Sequence, residues 1–450
     1  MVTLRFFGGV NEIGGNKILL EDNGTRILFD FGQSFTFGAD YFTSWLSPRP
    51  INGLKDRFEF GLLPKIRGLY AKEQLAFTDF PYAEPEVDAI FLSHAHFDHV
   101  THICFVDPQI PVYLGVGTKL FLESMEETSG FCDYRKHEYC TFRTGRKIKI
   151  GNVVVEPVHV DHSIPAAYGF LIHTSRGTIV YTGDLRMHGP RRDLSEEFVR
   201  RGKECEPDAL VCEGTRMALK EKRKNYSEGQ VERMSNEIVS STDKIVFITH
   251  YSRDMDRLRS FYNVAVKNER DIVISPKTAY LLGKLIQDEH LDLPDPLKDE
   301  RIHVYYKRKK SGTYDDADYF LWERQFMDKM VTCEFVQKNQ GSLIMDLDFY
   351  QFAELIDIRP GKGSPFIHSM SEPFSEEDIQ DAVLHNWLDH FGMQFHQLHA
   401  SGHLKREQIG SLVTEINAKT VFPVHTENQH LFKQMTKNAQ MIKPEKEYGI

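Results

Sequence analysis

The sequence predicts an α/β protein in which a strand-rich sandwich is interrupted by an inserted α/β unit built on a parallel sheet. Three observations predict this. Several apolar runs before residue 208 end directly at histidine or aspartate. From about Asp208 onward, short strands alternate with helices. After Gly392 the first rhythm resumes, and its last apolar run ends at His425. The expected division assigns 1–208 and 394–450 to the first domain and 209–393 to the insertion. A chain of 450 residues has room for two cores.

The elements follow in order. Runs over 16–22 and 25–31 flank Asn23-Gly24, a strong hairpin signal. Residues 35–82 are rich in Gly, Pro and aromatics without a clear period, and read as a long ordered loop or lid. Residues 87–92 form a buried-type strand that runs into a histidine cluster, and 153–160 form another before Asp161-His162. Strands over 169–173 and 178–181 flank a Ser-Arg-Gly turn, and the second ends at Gly183-Asp184. A strand at 209–212 opens the alternating region. Val231, Met234 and Ile238 show helical spacing within 227–240. Strands at 244–249 and 271–275 alternate with helices at 255–266 and 278–288, the signature of a parallel sheet with helices on its faces. The closing segment has a strand at 395–399, a helix at 405–417 and a strand at 421–424.

The chemistry concentrates in Ser93-His94-Ala95-His96-Phe97-Asp98-His99. Imidazole nitrogen and carboxylate oxygen are zinc ligands. On an extended stretch His94 and His96 point the same way, while Asp98 and His99 fall on the turn beyond. Three histidines and an aspartate in this packing point to metal. His162, Asp184 and His425 each follow an apolar strand and supply further ligands. Asp30, at the end of Ile27-Leu28-Phe29, fits a residue that orients a ligand histidine.

Composition narrows the function classes. The formal net charge of −10 argues against a general nucleic-acid-coating protein, although bound cations can invert a local potential. The sequence contains no stretch that reads as a transmembrane helix or a signal peptide. The six scattered cysteines are therefore expected as reduced thiols in a cytoplasmic protein. Cys132, His137 and Cys140 suggest a small metal site, but lack the usual four-ligand spacing. Basic stretches at 220–224, 307–310 and Arg191-Arg192 are candidates for tracking a phosphate backbone.

The run His94 to His99 resembles the HxHxDH signature of the metallo-β-lactamase superfamily. Asp30, His162, Asp184 and His425 match its other motif positions in order. The resemblance implies an αββα sandwich holding two zinc ions, with manganese as the alternative. His94, His96 and His162 would hold one, Asp98, His99 and His425 the other, and Asp184 would bridge. Asp184 and His425 lie 241 residues apart (425 − 184), and the intervening unit resembles the β-CASP domain of nucleic-acid nucleases. Glu213, His403 and His425 match its three motif positions. Within that group the pattern is similar to RNase J, in HSIP at 162–165, TGD at 182–184, HASGH at 399–403 and PVH at 423–425. The sequence stops 25 residues after His425 (450 − 425), as expected of the short, archaeal-type form.

What this implies is a zinc-dependent ribonuclease acting on single-stranded RNA as a 5′-to-3′ exonuclease, with an endonuclease mode beside it. Asp98 and Asp184 would serve catalysis through the metals. His403 would stabilise phosphoryl charge and help protonate the leaving oxygen, with Glu213 orienting it. Ser364, His368 and Ser369 would cradle a 5′-monophosphate, and Ser401 and Gly402 would line the substrate path. Tyr251-Ser252-Arg253-Asp254 departs from the usual Phe-Ala-Ser-Asn, so Arg253 would replace a serine contact. Ala166 and Ala167 depart from the acidic and small residues usual after HSIP. The alternatives are a lactonase or thioesterase on the same fold, a DNA nuclease, and a non-catalytic scaffold. A homodimer is an open option, and no membrane partner is expected.

Overall fold

Asn23 and Gly24 both have positive φ, 48° and 92°, as a two-residue hairpin turn of the favoured hand requires. They join the strands Lys17–Asp22 and Thr25–Phe29, paired from Ile18 with Phe29 to Asp22 with Thr25. This hairpin seeds the first sheet of the computed structural model, which describes all residues except 44, 130–133, 135, 136, 220–223 and 373–377. Cys132 and 220–223 of the first basic stretch lie outside the described residues.

The first sheet has seven strands, in the spatial order Glu447–Gly449, Val2–Gly8, Lys17–Asp22, Thr25–Phe29, Ala89–Phe91, Val112–Gly115 and Tyr139–Phe142. The second has six, in the order Thr420–Val424, Ala209–Glu213, Thr178–Tyr181, Ala167–His173, Val153–Val160 and Ile148–Ile150. Alternation decides which side chains meet between them. Ile18, Leu20, Ile27, Phe29 and Phe91 from one sheet share a core with Val155, Phe170, Ile172, Tyr181 and Val211 from the other. The opposite face of the second sheet, with Val180 and Leu210, packs on Phe198 of the helix Arg192–Glu204 and on Ile409 and Leu412 of the helix Arg406–Ile416.

The inserted unit has its own seven-stranded sheet, in the order Met330–Val331, Ile302–Tyr305, Asp271–Ile274, Leu343–Asp346, Val246–His250, Pro365–Ser369 and Gln394–Gln397. Every pairing in it is parallel. Strands buried on both faces read as unbroken apolar runs, such as Val246 to Ile248 and Ile272 to Ile274. Ser227 caps the helix Glu228–Ser240 in a reciprocal capping box with Gln230.

The domain limits differ from those expected at 208/209 and 393/394. Met1–Met187, Arg191–Glu221 and Gly402–Ile450 form one unit, and His188–Pro190 with Lys222–Ser401 form the other. Pairing explains both shifts. Ala209–Glu213 lies between Thr178–Tyr181 and Thr420–Val424, inside the sandwich. Gln394–Gln397 extends the parallel sheet beside Pro365–Ser369.

The described residues of 35–82 form an ordered loop with the helices Lys55–Glu59 and Lys72–Leu75 and a buried set that includes Leu54, Leu63, Leu69 and Tyr70. Backbone bonds from Ala71 to Phe105 and from Asp107 to Leu69 pin it. Among the described residues, no helix is long and apolar enough to cross a membrane.

Candidate metal centre

The centre lies wholly in the first unit. After the strand Ala89–Phe91 the chain turns through Ser93 and His94 into the short helix Phe97–Val100, with His96 at its N-cap. Asp30 fixes the start of this turn. Its Oδ1 accepts from the Ser93 amide at 2.7 Å, and its Oδ2 accepts from Ser93 Oγ at 2.9 Å and Tyr181 OH at 2.6 Å. His99 Nδ1 lies 2.9 Å from the same Oδ2, so the ring turns Nε2 inward. Asp30 and His425 both hold positive φ, 55° and 54°, an unfavourable backbone for residues with a Cβ that functional sites retain.

Three ligand-type sets share Asp184, two of them rich in histidine. His94, His96, His162 and Asp184 bring one atom each within 4.8 Å of one another, and so do Asp98, His99, Asp184 and His425. His96 Nδ1 lies 2.9 Å from His94 Nε2 and 3.1 Å from His162 Nε2. Asp184 Oδ2 lies 3.1 Å from His99 Nε2, 3.6 Å from His425 Nε2, 3.7 Å from His94 Nε2 and 3.9 Å from His162 Nε2. His425 Nε2 lies 2.9 Å from Asp98 Oδ2. The outward nitrogens are engaged as well. His94 Nδ1 meets Ser93 Oγ at 3.0 Å, His425 Nδ1 meets Thr215 Oγ1 at 2.8 Å, and His162 Nδ1 donates to the Gly402 carbonyl at 2.5 Å.

This donor set fits divalent cations. Among the described residues, Asp184 Oδ1 is buried without a hydrogen-bond partner, a costly condition unless a cation answers it. Burial, reinforced by neighbouring imidazoles, pushes the His94 and His162 pKa values well down, so both rings are neutral donors. Burial acts the same way on His99 and His425, but the Asp184 and Asp98 carboxylates prevail. They raise His99 well above its usual value and push His425 up to about 9. Burial would raise Asp98, yet His99 and His425 hold it at about 2. The paired carboxylates thus demand positive charge at the nitrogens where a metal ion would bind.

His403 and Glu213 form the third set with Asp184. His403 Nδ1 is 3.3 Å from Glu213 Oε1 and 3.9 Å from Asp184 Oδ2. Glu213 Oε2 accepts from the Thr215 amide at 3.1 Å and its hydroxyl at 2.7 Å. Sequence reasoning passed over Ser93, Tyr181 and Thr215. Only the alternation of Thr178–Tyr181 could have marked Tyr181 as inward-facing.

The residues expected at the substrate divide differently. Gly402 carries the carbonyl that holds His162, and a Cβ there would meet Ser163 Oγ at 2.5 Å and His162 Cε1 at 2.8 Å. Ser364, His368, Ser369, Ser401 and Arg253 belong to the inserted unit. Ser364 and Ser369 are fully buried, with hydroxyls donated to the carbonyls of Gly361 and Leu398. His368 Nδ1 meets Gln397 Oε1 at 2.9 Å. The Ser401 amide donates to Asn225, and Arg253 sits on the turn before the helix Met255–Lys267. The basic stretches carry ion pairs, Arg308 with Asp357, Lys309 with Glu323, Arg191 with Asp193 and Arg192 with Glu196.

Residues 64–235 match the family described as beta-lactamase superfamily domain, and residues 390–443 match the Zn-dependent metallo-hydrolase RNA specificity domain. The chain is 24% identical to Ribonuclease J of Helicobacter pylori strain J99 over 445 residues, which covers 94% of this chain and 56% of that protein. It is 28% identical to Ribonuclease J of Sinorhizobium meliloti over 359 residues, 76% of this chain and 58% of the relative. The chain therefore spans a little over half the length of these curated relatives. A crystal structure of a protein of unknown function from Enterococcus faecalis V583 shares the fold, with a TM-score of 0.78, 22% identity and full coverage of both chains. With the ligand sets in place, these matches assign the chain to the metallo-β-lactamase superfamily, in its β-CASP, RNase J-like group.

Proposed function

We propose that the protein is a zinc-dependent ribonuclease that hydrolyses phosphodiester bonds of single-stranded RNA, as a 5′-to-3′ exonuclease with an endonuclease mode beside it. The observation that carries this is Asp184 Oδ2, within 3.9 Å of four ligand-type imidazoles and of His403, which pairs with Glu213. His94, His96 and His162 would hold one zinc ion, Asp98, His99 and His425 a second, with Asp184 shared. Bound zinc supplies Lewis acidity toward a phosphoryl oxygen and makes water acidic enough to attack near neutral pH. Asp30, Thr215 and the Gly402 carbonyl hold ligand rings in place. Glu213 engages Nδ1 of His403, whose Nε2 then donates a proton to the departing 3′ oxygen.

A lactonase or thioesterase would use the same ligands but has no role for the Glu213–His403 pair. The test is digestion of end-labelled RNA and DNA carrying 5′-monophosphate, 5′-triphosphate or 5′-hydroxyl ends. Cleavage of RNA supports the proposal. Inert RNA alongside rapid lactone or thioester turnover rejects it.

A further inference from the structure

The ligand side chains are buried except for His96, which is partly exposed, as is its neighbour Phe97. The ring of Phe35 stands edge to face on Phe97, with 4.8 Å between centroids, and 62% of Phe35 is exposed to solvent. The backbone holds it there. The Phe31 amide donates to the His99 carbonyl at 2.8 Å, the Gln33 amide to the Phe97 carbonyl at 3.4 Å and the Phe35 amide to the Ile13 carbonyl at 3.2 Å. Gly32 passes so close that a Cβ would lie 1.9 Å from the Asp98 backbone. An apolar ring is thus held mostly in solvent against Phe97, the residue that follows His96.

We infer that Phe35, braced by Phe97, is a stacking platform for an RNA base beside the scissile phosphodiester. Core packing does not account for a phenyl ring left mostly in solvent on a segment tied to the ligand turn at two amides and to Ile13 at a third. A flat apolar partner does, and a polynucleotide brings one with every residue. Edge-to-face support fixes the ring's tilt and leaves its own face available. Stacking of this kind tolerates any base, because every base has a π face. The platform therefore favours single-stranded over base-paired RNA without reading sequence.

The inference rests on the ribonuclease reading, and the test separates the two. Wild type, Phe35→Ala and Phe35→Trp are compared on a single-stranded RNA oligonucleotide and on a set carrying one abasic residue at successive positions. Phe35→Ala should raise KM about tenfold on intact RNA, with kcat, zinc content and melting temperature little changed. Phe35→Trp should restore KM. On the oligonucleotide lacking the stacked base, wild type and Phe35→Ala should share one KM. A KM within twofold of wild type for Phe35→Ala on intact RNA overturns the stacking inference and leaves the ribonuclease standing. A loss that persists on every abasic oligonucleotide also overturns it, and assigns Phe35 to structure or to a protein partner. No cleavage of RNA by wild type overturns both.

Discussion

His162 Nδ1 and the carbonyl oxygen of Gly402 lie 2.5 Å apart, although 240 residues of chain separate them. The segment that returns from the inserted unit thereby orients a ligand supplied before that unit begins. Ring orientation and tautomer are set at a stroke, because a donating Nδ1 leaves Nε2 as the lone-pair nitrogen. Gly402→Ala would force a Cβ into Ser163 and His162. The expected outcome is a roughly 10- to 100-fold loss of metal affinity, the usual scale for disturbing a group that orients a ligand. Titration with a competing chelator measures it.

Elemental analysis of protein purified without added metal should find about two zinc ions per chain. Uptake should release protons, because the carboxylates raise the His99 and His425 pKa values and a metal displaces those protons. The sign is definite. Affinity falls as pH is lowered, with His425 contributing to the competition below about 9. Calorimetry in buffers of different ionisation enthalpy reads the protons released.

Asp184→Ala removes the carboxylate common to both histidine-rich ligand sets. RNA cleavage should drop by about a thousandfold or more, while binding survives, because backbone contacts are spread over many residues. Near wild-type cleavage by this variant would refute the shared-ligand assignment.

His403→Ala should leave zinc content unchanged and slow RNA cleavage by roughly a hundredfold, the scale of losing a general acid. Hydrolysis of bis-nitrophenyl phosphate should suffer less, since its leaving group departs without a proton. Equal losses on both substrates would instead point to a structural role beside Glu213.

Much of this centre could be read from the chain. His94 to His99 is a local run at the end of a buried strand, and His162, Asp184 and His425 each follow an apolar run that became a strand. Long-range pairing could not be read. Ala209–Glu213 and Gln394–Gln397 are ordinary strand sequences, and only their neighbours, Thr420–Val424 and Pro365–Ser369, decide which sheet owns them. The Gly402 carbonyl and the Thr215 hydroxyl act through positions that no spacing rule reveals. The carbonyl partners of the Ser364 and Ser369 hydroxyls, Gly361 and Leu398, are likewise set by the fold.

The parallel pairing of Ala209–Glu213 with Thr420–Val424 also orders events in time. Parallel neighbours need a crossover, and here the crossover is an entire folding unit. Closing so long a loop in an unfolded chain is entropically costly, so prior folding of the insertion shortens what remains to be closed. A nascent chain emerging from the ribosome already carries His94, His96, His162 and Asp184, yet it lacks His425 until the segment after the inserted unit is made. The second ligand set therefore closes only once the chain has been made through His425, and a shorter one carries an incomplete centre.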